Sequence, residues 1–240
     1  MEKNDISPIM TYSTISDIVY KWIRNAIVSS AFKPGEWITQ EDITERLHVS
    51  RTPVRDAFKR LQSEGLLVVK PHQGAIVVQL SLEKLIEVYE IRMLLEGAAA
   101  KHACENIANK NINELEKINT KMSAQRSDPQ QFMNCNRNFH YSLYSFSKRE
   151  YLISTIFGLW DLIEPYRLIY FSHDGKTDGA IEEHIHIIKA LKKHHPEEVR
   201  QAVIEHLNDV VTTLSSNGAE LVNIEAPIRR KRQRAEPTAK

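Results

Sequence analysis

The nine residues Val49-Ser50-Arg51-Thr52-Pro53-Val54-Arg55-Asp56-Ala57 decide the fold of the first third of this chain. Ser50 stands where a helix N-cap is expected, and Pro53 falls within the first turn, where a missing N–H costs little. Val54, Ala57, Phe58 and Leu61 recur at three- and four-residue steps and form one apolar face, and Gly65 ends the run. Arg51 and Arg55 are four apart and share the opposite face. The stretch therefore predicts an amphipathic helix with a cationic outer side and an exposed N-terminal end.

Upstream, Ile15, Ile18, Val19, Trp22, Ile23, Ala26 and Ile27 predict a helix from Thr14 to Ser30, broken by Lys33-Pro34-Gly35. Thr39 opens a second, short helix whose inner face is Ile43 and Leu47, and the turn His48-Val49 before the third helix is short. Downstream, Leu66 to Lys70 and Ala75 to Val78 are β-rich and flank Pro71-His72-Gln73-Gly74, which predicts a hairpin. Three helices and a hairpin make a winged helix-turn-helix. From Ser81 the strand signal vanishes, and six helices are expected near 81–104, 109–125, 128–147, 149–172, 176–193 and 196–215. The fold class is mainly α. Residues 1–80 form a winged unit, 81–218 a helical bundle domain, and 219–240 a basic, disordered tail.

The chain has 240 residues and a formal net charge of +1, with 42% hydrophobic and 26% charged residues, as in an ordinary globular protein. Two cysteines cannot build a disulfide framework, so a reducing compartment is expected. No apolar run approaches the roughly 20 residues of a membrane-spanning helix, and the N-terminus has no signal-peptide core. The charge is uneven: residues 81–225 hold 16 basic and 21 acidic residues, whereas 226–240 hold 6 and 1. The run Arg229-Arg230-Lys231-Arg232-Gln233-Arg234 reads as a solvated terminus, with sequence-independent attraction for phosphate as the sharper alternative.

The third helix has the chemistry of a DNA reader. Its free N–H groups attract phosphate. Arg51 and Arg55 carry planar forks that match guanine O6 and N7. Hydroxyls at Ser50 and Thr52 can hold phosphates, with Lys59 further along the helix as another cation. At the hairpin tip, Lys70, His72 and Gln73 are donors, and Gly74 allows close backbone approach to DNA. The bland alternative is that the arginines are solvated or pair with Asp56 and Glu64.

These motifs resemble the GntR family of bacterial transcription regulators. The resemblance rests on Pro34-Gly35, on Val49 to Ala57, on Glu64-Gly65-Leu66, on Gly74-Ala75-Ile76-Val77 and on Glu90-Ile91-Arg92 followed by Leu95-Glu96. The helical remainder is similar to the effector domain of the FadR-type branch, in its metal-binding, FCD-like form. This implies a homodimer on a short palindromic operator of double-stranded DNA, with the wing near a minor groove. It also implies a bacterial cytoplasmic protein, on the nucleoid when operator-bound, whose DNA affinity changes with a small molecule.

Three histidines fall on inward helix faces. His206 lies beside Val203 and Val210, His184 lies in the stripe of Ile181, Ile185, Ile188 and Leu191, and His140 shares a face with Asn136, Phe132 and Leu143. His186 points away. Unpartnered buried imidazoles are costly. An imidazole set in a helical bundle suits a divalent transition metal ion, zinc or nickel above all. One subset of FadR-type domains resembles the same pattern, with Asp-x-x-Phe-His, then Glu-His, then His-Leu. Here it is Asn136 to His140, Glu183-His184 and His206-Leu207, with asparagine in place of the aspartate. The implied ligands are Asn136, His140, His184 and His206, a neutral set that a carboxylate effector would complete.

Arg92 is the candidate carboxylate clamp, or else a structural partner of Glu96. Tyr89 lies on its side of the helix, and Arg167 and Tyr166 are further candidates for the effector. A metal-dependent hydrolase is the competing reading, with Glu183 as base, but the chain has no HExxH, GxSxG or phosphate-loop motif. An architectural DNA-binding protein without effector is the third.

Overall fold

The computed structural model describes residues 13–71, 73–171 and 175–222, with side chains described to residue 216. The winged part contains α1 (Ile15–Val28), β1 (Trp37–Ile38), α2 (Gln40–Leu47), α3 (Arg51–Ser63), β2 (Leu67–Lys70) and β3 (Gly74–Val77). Then follow α4 (Leu82–Asn106), α5 (Asn109–Ala124), α6 (Pro129–Ser145), α7 (Glu150–Phe171), α8 (Lys176–Lys192) and α9 (Pro196–Val222). The expected architecture, a winged helix-turn-helix followed by six helices, is present.

The local signals act as expected at most helix starts. Thr14 caps α1 in a reciprocal box with Asp17. Thr39 caps α2 through the Asp42 N–H. Asp128 caps α6 ahead of Pro129. His48 closes α2 in the left-handed region, at φ 53°, which makes the tight turn into α3. Ser50 departs from expectation. It occupies the N-cap position of α3, but its side chain makes no capping hydrogen bond.

Two features had no sequence signal. The two residues of β1 pair antiparallel with β3, giving the sheet order β1-β3-β2, with Trp37 opposite Ile76 and Val68 opposite Ile76 on the other side. A two-residue strand has no period to read. Helix α9 also runs to Val222, past its expected end and into the first residues assigned to the tail. The basic run 229–234 lies outside the described residues.

Buried side chains form two clusters. One joins Val19, Ile23, Ile43, Val54, Phe58 and Leu61 under the sheet residues Leu67, Ala75 and Val77. The other fills the helical part around Leu85, Ile112, Phe132, Phe139, Trp160, Leu191 and Val203. Helix α4 lies along α9, close enough at Gly97 that a Cβ there would stand 3.2 Å from Arg200 and Ile204. The two parts meet where α1 packs on α7, and the Leu80 N–H donates to the Tyr166 hydroxyl at 2.6 Å. Cys104 and Cys135 are both buried and unpaired. No described helix is long and apolar enough to cross a membrane.

Candidate functional site

Helix α3 presents Arg51, Thr52, Arg55 and Lys59 to solvent while Val54, Ala57, Phe58 and Leu61 are buried beneath. Arg51, Arg55 and Lys59 make no ion pair with any described residue, so the pairing with Asp56 or Glu64 does not occur. The neighbouring Arg60 is different. It stacks over the Tyr20 ring at 3.6 Å and pairs with Asp17 and Glu64, tying α3 to α1. The first turn of α3 holds no acidic residue, and the Ser50 hydroxyl is uncommitted, so this helix end keeps its positive field.

On the wing, Lys70 and Gln73 are exposed, and His72 lies outside the described residues. Gly74 is buried in β3 opposite Lys70, with φ 128°, and a Cβ there would stand 2.4 Å from the Ile38 carbonyl oxygen. The close approach of β1 therefore by itself requires glycine at this position.

In the helical part α6, α8 and α9 bring His140, His184 and His206 together, with one ring nitrogen of each within 4.8 Å of the others. All three are buried. His140 and His184 approach Nε2 to Nε2 at 3.1 Å, and His140 stacks on His206 with centroids 5.0 Å apart. The Phe139 ring lies parallel to His184 at 4.0 Å. Burial, then the neighbouring histidines and arginines, hold the His140 and His184 imidazoles well below their ordinary range, so both are neutral at neutral pH.

The surrounding groups fix the rings. Trp160, Arg92 and Tyr144 all donate to the buried Glu96 carboxylate, at 2.9, 2.6 and 2.7 Å. Tyr144, having donated its proton to Glu96, can only accept from His140 Nδ1 at 3.0 Å. Glu183 accepts from His206 Nδ1 at 2.6 Å. Both rings therefore carry the proton on Nδ1 and keep an Nε2 lone pair. Two nitrogens each about 2.0–2.1 Å from one zinc ion lie about 3.3–3.4 Å apart in a tetrahedron. The 3.1 Å approach of His140 and His184, and the lone pairs left by Tyr144 and Glu183, fit such an ion. Glu183 is thereby a partner of His206 rather than a free base.

Asn136 stands beside this set, on the wall of the adjoining cavity. Its Oδ1 accepts from Arg167, and its Nδ2 is buried without a partner. Arginine can only donate, so the amide oxygen must face it.

Beside His206 and Asn136 is a small cavity lined also by Tyr89, Arg92, Trp160 and Arg167, so three of the four expected effector residues line it. Its free volume of about 20 Å³ is room for one water. The Arg92 and Arg167 guanidiniums lie 4.6 and 4.0 Å from the Trp160 ring. Arg92 serves Glu96 through Nε and leaves NH1 buried and unpartnered, so it is both the structural partner and a spare donor. Tyr166 does not line the cavity, because its hydroxyl is engaged by Leu80. The pairing of Glu96 with Arg92 was legible as an i,i+4 pair, but the contributions of Tyr144 and Trp160 were not, since their spacing carries no signal beyond that of core residues.

The models of two domain families match the chain: bacterial regulatory proteins of the gntR family over residues 15–77, and the FCD domain over 87–209. The HTH-type transcriptional repressor RspR of Escherichia coli (strain K12) is 26% identical over 198 residues, covering 82% of this chain and 87% of that protein. The probable D-xylose utilization operon transcriptional repressor of Paenarthrobacter nicotinovorans is 30% identical over 213 residues, covering 87% and 93%. The solved structure of E. coli McbR/YncC superposes with a TM-score of 0.74 at 27% identity, covering 85% of this chain and 99% of that one. These relatives regulate transcription, which sets aside the hydrolase reading. Their sequence likeness spans both the cationic helix and the three-histidine part, and so the chain belongs to the GntR family of bacterial transcriptional regulators, in the branch that carries an FCD domain.

Proposed function

We propose that this regulator binds a short palindromic operator as a homodimer in the bacterial cytoplasm, as a repressor, and that a small organic acid at a metal-holding cavity sets its operator affinity. The observation that carries this reading is the cluster of three inward imidazoles, of which His206 lines a cavity that Arg92 and Arg167 line as well. Residues 1–80 form the DNA-binding unit and 81–218 the effector and dimerisation unit.

Arg51 and Arg55 read base edges in the major groove. Ser50, Thr52 and Lys59 hold phosphates, and Gln73 with His72 reaches the flanking groove from the wing. His140, His184 and His206 hold the ion, zinc or nickel. Bound there, it supplies a fixed positive charge that attracts and orients a carboxylate. Arg92 and Arg167 supply the rest of that attraction, and Tyr89 closes one side. Ligand entry displaces cavity side chains, because the free space admits only one water. That displacement shifts α4 and α7, which reach the winged unit through Leu80 and Asp161.

The test is elemental analysis of the tag-free protein together with selection of its operator from random duplexes. About one transition metal per chain, lost in a His140→Ala/His206→Ala double variant, and a palindromic selected sequence are the expected results. Absence of metal from the wild type, after exposure to both zinc and nickel, would overturn the metal part. A selection that enriches no sequence would overturn the operator part.

A further inference from the structure

The cavity beside His206 reaches solvent along the seam between α8 and α9. Of the described residues that line it, all but Glu183 of α8 and Val210 of α9 are buried, and both of these lie on that seam. Two polar ties cross it. Glu183 accepts from His206, and seven residues away on each helix Lys176 donates to the Thr213 hydroxyl at 2.7 Å. The ties are two helical turns, about 10 Å, apart. Ala180 and Val210 fill the space between them, and both line the cavity.

We infer that Tyr170, Lys176 and Asp209 form a clasp that gates this cavity, and that the first turn of α8 swings away from α9 to admit a solute. The inference rests on the reading of the three histidines as a metal site. The Asp209 carboxylate accepts from the Tyr170 hydroxyl at 2.9 Å and stands 3.5 Å from Lys176 Nζ. It thereby joins α7, α8 and α9 at one corner of the seam. Lys176 also lies 5.1 Å over the Tyr170 ring, and Tyr170 is part of the cavity wall. Of the three histidines His206 lines the cavity, while His140 and His184 are 0% exposed. The free space holds one water, so nothing larger reaches the imidazoles until part of the wall moves.

The clasp can open at low cost. The Lys176 and Asp209 side chains are 27% and 47% exposed, so water competes for their pairing. The start of α8 is held loosely as well. Its N-cap is Gly175, in the left-handed region at φ 77°, with no side chain to cap the helix. Gly179 follows one turn later and donates its N–H to the Gly175 carbonyl at 3.0 Å. Packing does not call for glycine at 179, since a Cβ there would meet nothing within 4 Å. Its effect is on the helix itself, because glycine loses more backbone freedom than alanine when a helix forms. Segments that open within a native fold are drawn from such weakly held turns. The second tie, between His206 and Glu183, is less exposed, at 8% and 29%, and stays in place while the clasp end opens.

The clasp closes over the site whether or not an ion is held, so loosening it speeds entry and exit alike and leaves affinity unchanged. The full chain, stripped of metal, is mixed rapidly with cobalt(II), whose visible absorption reports uptake, and excess chelator then reports release. Asp209→Ala, which removes the shared acceptor, should raise both rates about fivefold. Gly179→Ala, which stiffens the start of α8, should lower both about threefold. The dissociation constant should stay within about twofold of wild type in each. Both positions are exposed, so neither change removes core packing. The gate is overturned if both variants keep the wild-type rates, or if one rate changes without the other, which would mean an altered affinity instead. If wild type takes up no cobalt, the metal-site reading fails, and acrylamide quenching of Trp160, on the same cavity wall, judges the gate in a Trp22→Phe/Trp37→Phe background. Quenching should rise about twofold in Asp209→Ala and fall in Gly179→Ala. Equal quenching in all three proteins overturns the gate.

Discussion

Arg24 of α1 donates to the Asp161 carboxylate of α7, and this ion pair lies where the winged part meets the helical part. The other Asp161 oxygen accepts from Arg137 at 2.8 Å, and Arg137 stands 3.8 Å from Glu164, which accepts from Arg167 at the cavity. Alternating charges therefore run from the first helix of the winged part to the cavity wall. Burial pushes the Asp161 carboxyl up, against the pull of Arg137 and Arg24, so its ionisation is sustained by those two arginines. Pro165 lacks the N–H that would otherwise bond the Asp161 carbonyl within α7.

Replacing Asp161 with Asn leaves Arg24 and Arg137 facing a neutral group. Both arginines are partly solvated, so the expected cost is about 1–3 kcal/mol, below the range for a fully buried pair. The two parts should also unfold less cooperatively. Calorimetry should resolve an earlier transition for the winged part in Asp161→Asn, and a single unchanged transition would contradict this.

Arg55→Ala should weaken operator binding by about 1–3 kcal/mol and relax preference at one base position. Binding to a set of singly substituted operators checks it. A uniform loss across all sequences, with a shallower salt dependence, would place Arg55 on a phosphate instead.

Gly74→Ala should destabilise the wing by about 1–3 kcal/mol, because the residue sits at φ 128° and the added Cβ would meet the Ile38 carbonyl at 2.4 Å. Urea unfolding measures it. An unchanged midpoint would show that β1 can withdraw from β3 at no cost.

Tyr20 gives a pH dependence whose sign is fixed. Its hydroxyl donates to Glu64 at 2.8–2.9 Å, and burial followed by that carboxylate pushes the phenol up to about 12. The unfolded group titrates near its ordinary value of about 10. The stability it contributes is therefore complete below about pH 10 and is lost as pH rises towards 12. Wild type should exceed Tyr20→Phe by about 1 kcal/mol at pH 9 and by less at pH 11. An equal difference at both would refute the linkage.

Metal removal should lower stability by mass action. Zinc at a hundred times its dissociation constant adds about 2.7 kcal/mol to the folded state. The melting temperature of chelated protein should rise on adding zinc, and that of His184→Ala should not.

The residue pattern alone settles local structure. Apolar residues at three- and four-residue steps set the faces of α1, α3 and the helices of the three histidines, and Thr14 and Thr39 marked where helices begin. Those faces also turned Arg51 and Arg55 outward and His140, His184 and His206 inward, because helical period alone decides which side of a helix a residue occupies. The tertiary structure decided what meets across elements. The sequence does not state that Arg167 takes the Asn136 oxygen, that Glu183 serves His206, or that Gly74 makes room for Ile38. Nor does it state that Arg24 reaches Asp161, 137 residues away. Such contacts have no period, since they depend on how helices pack and which rotamers that packing leaves open.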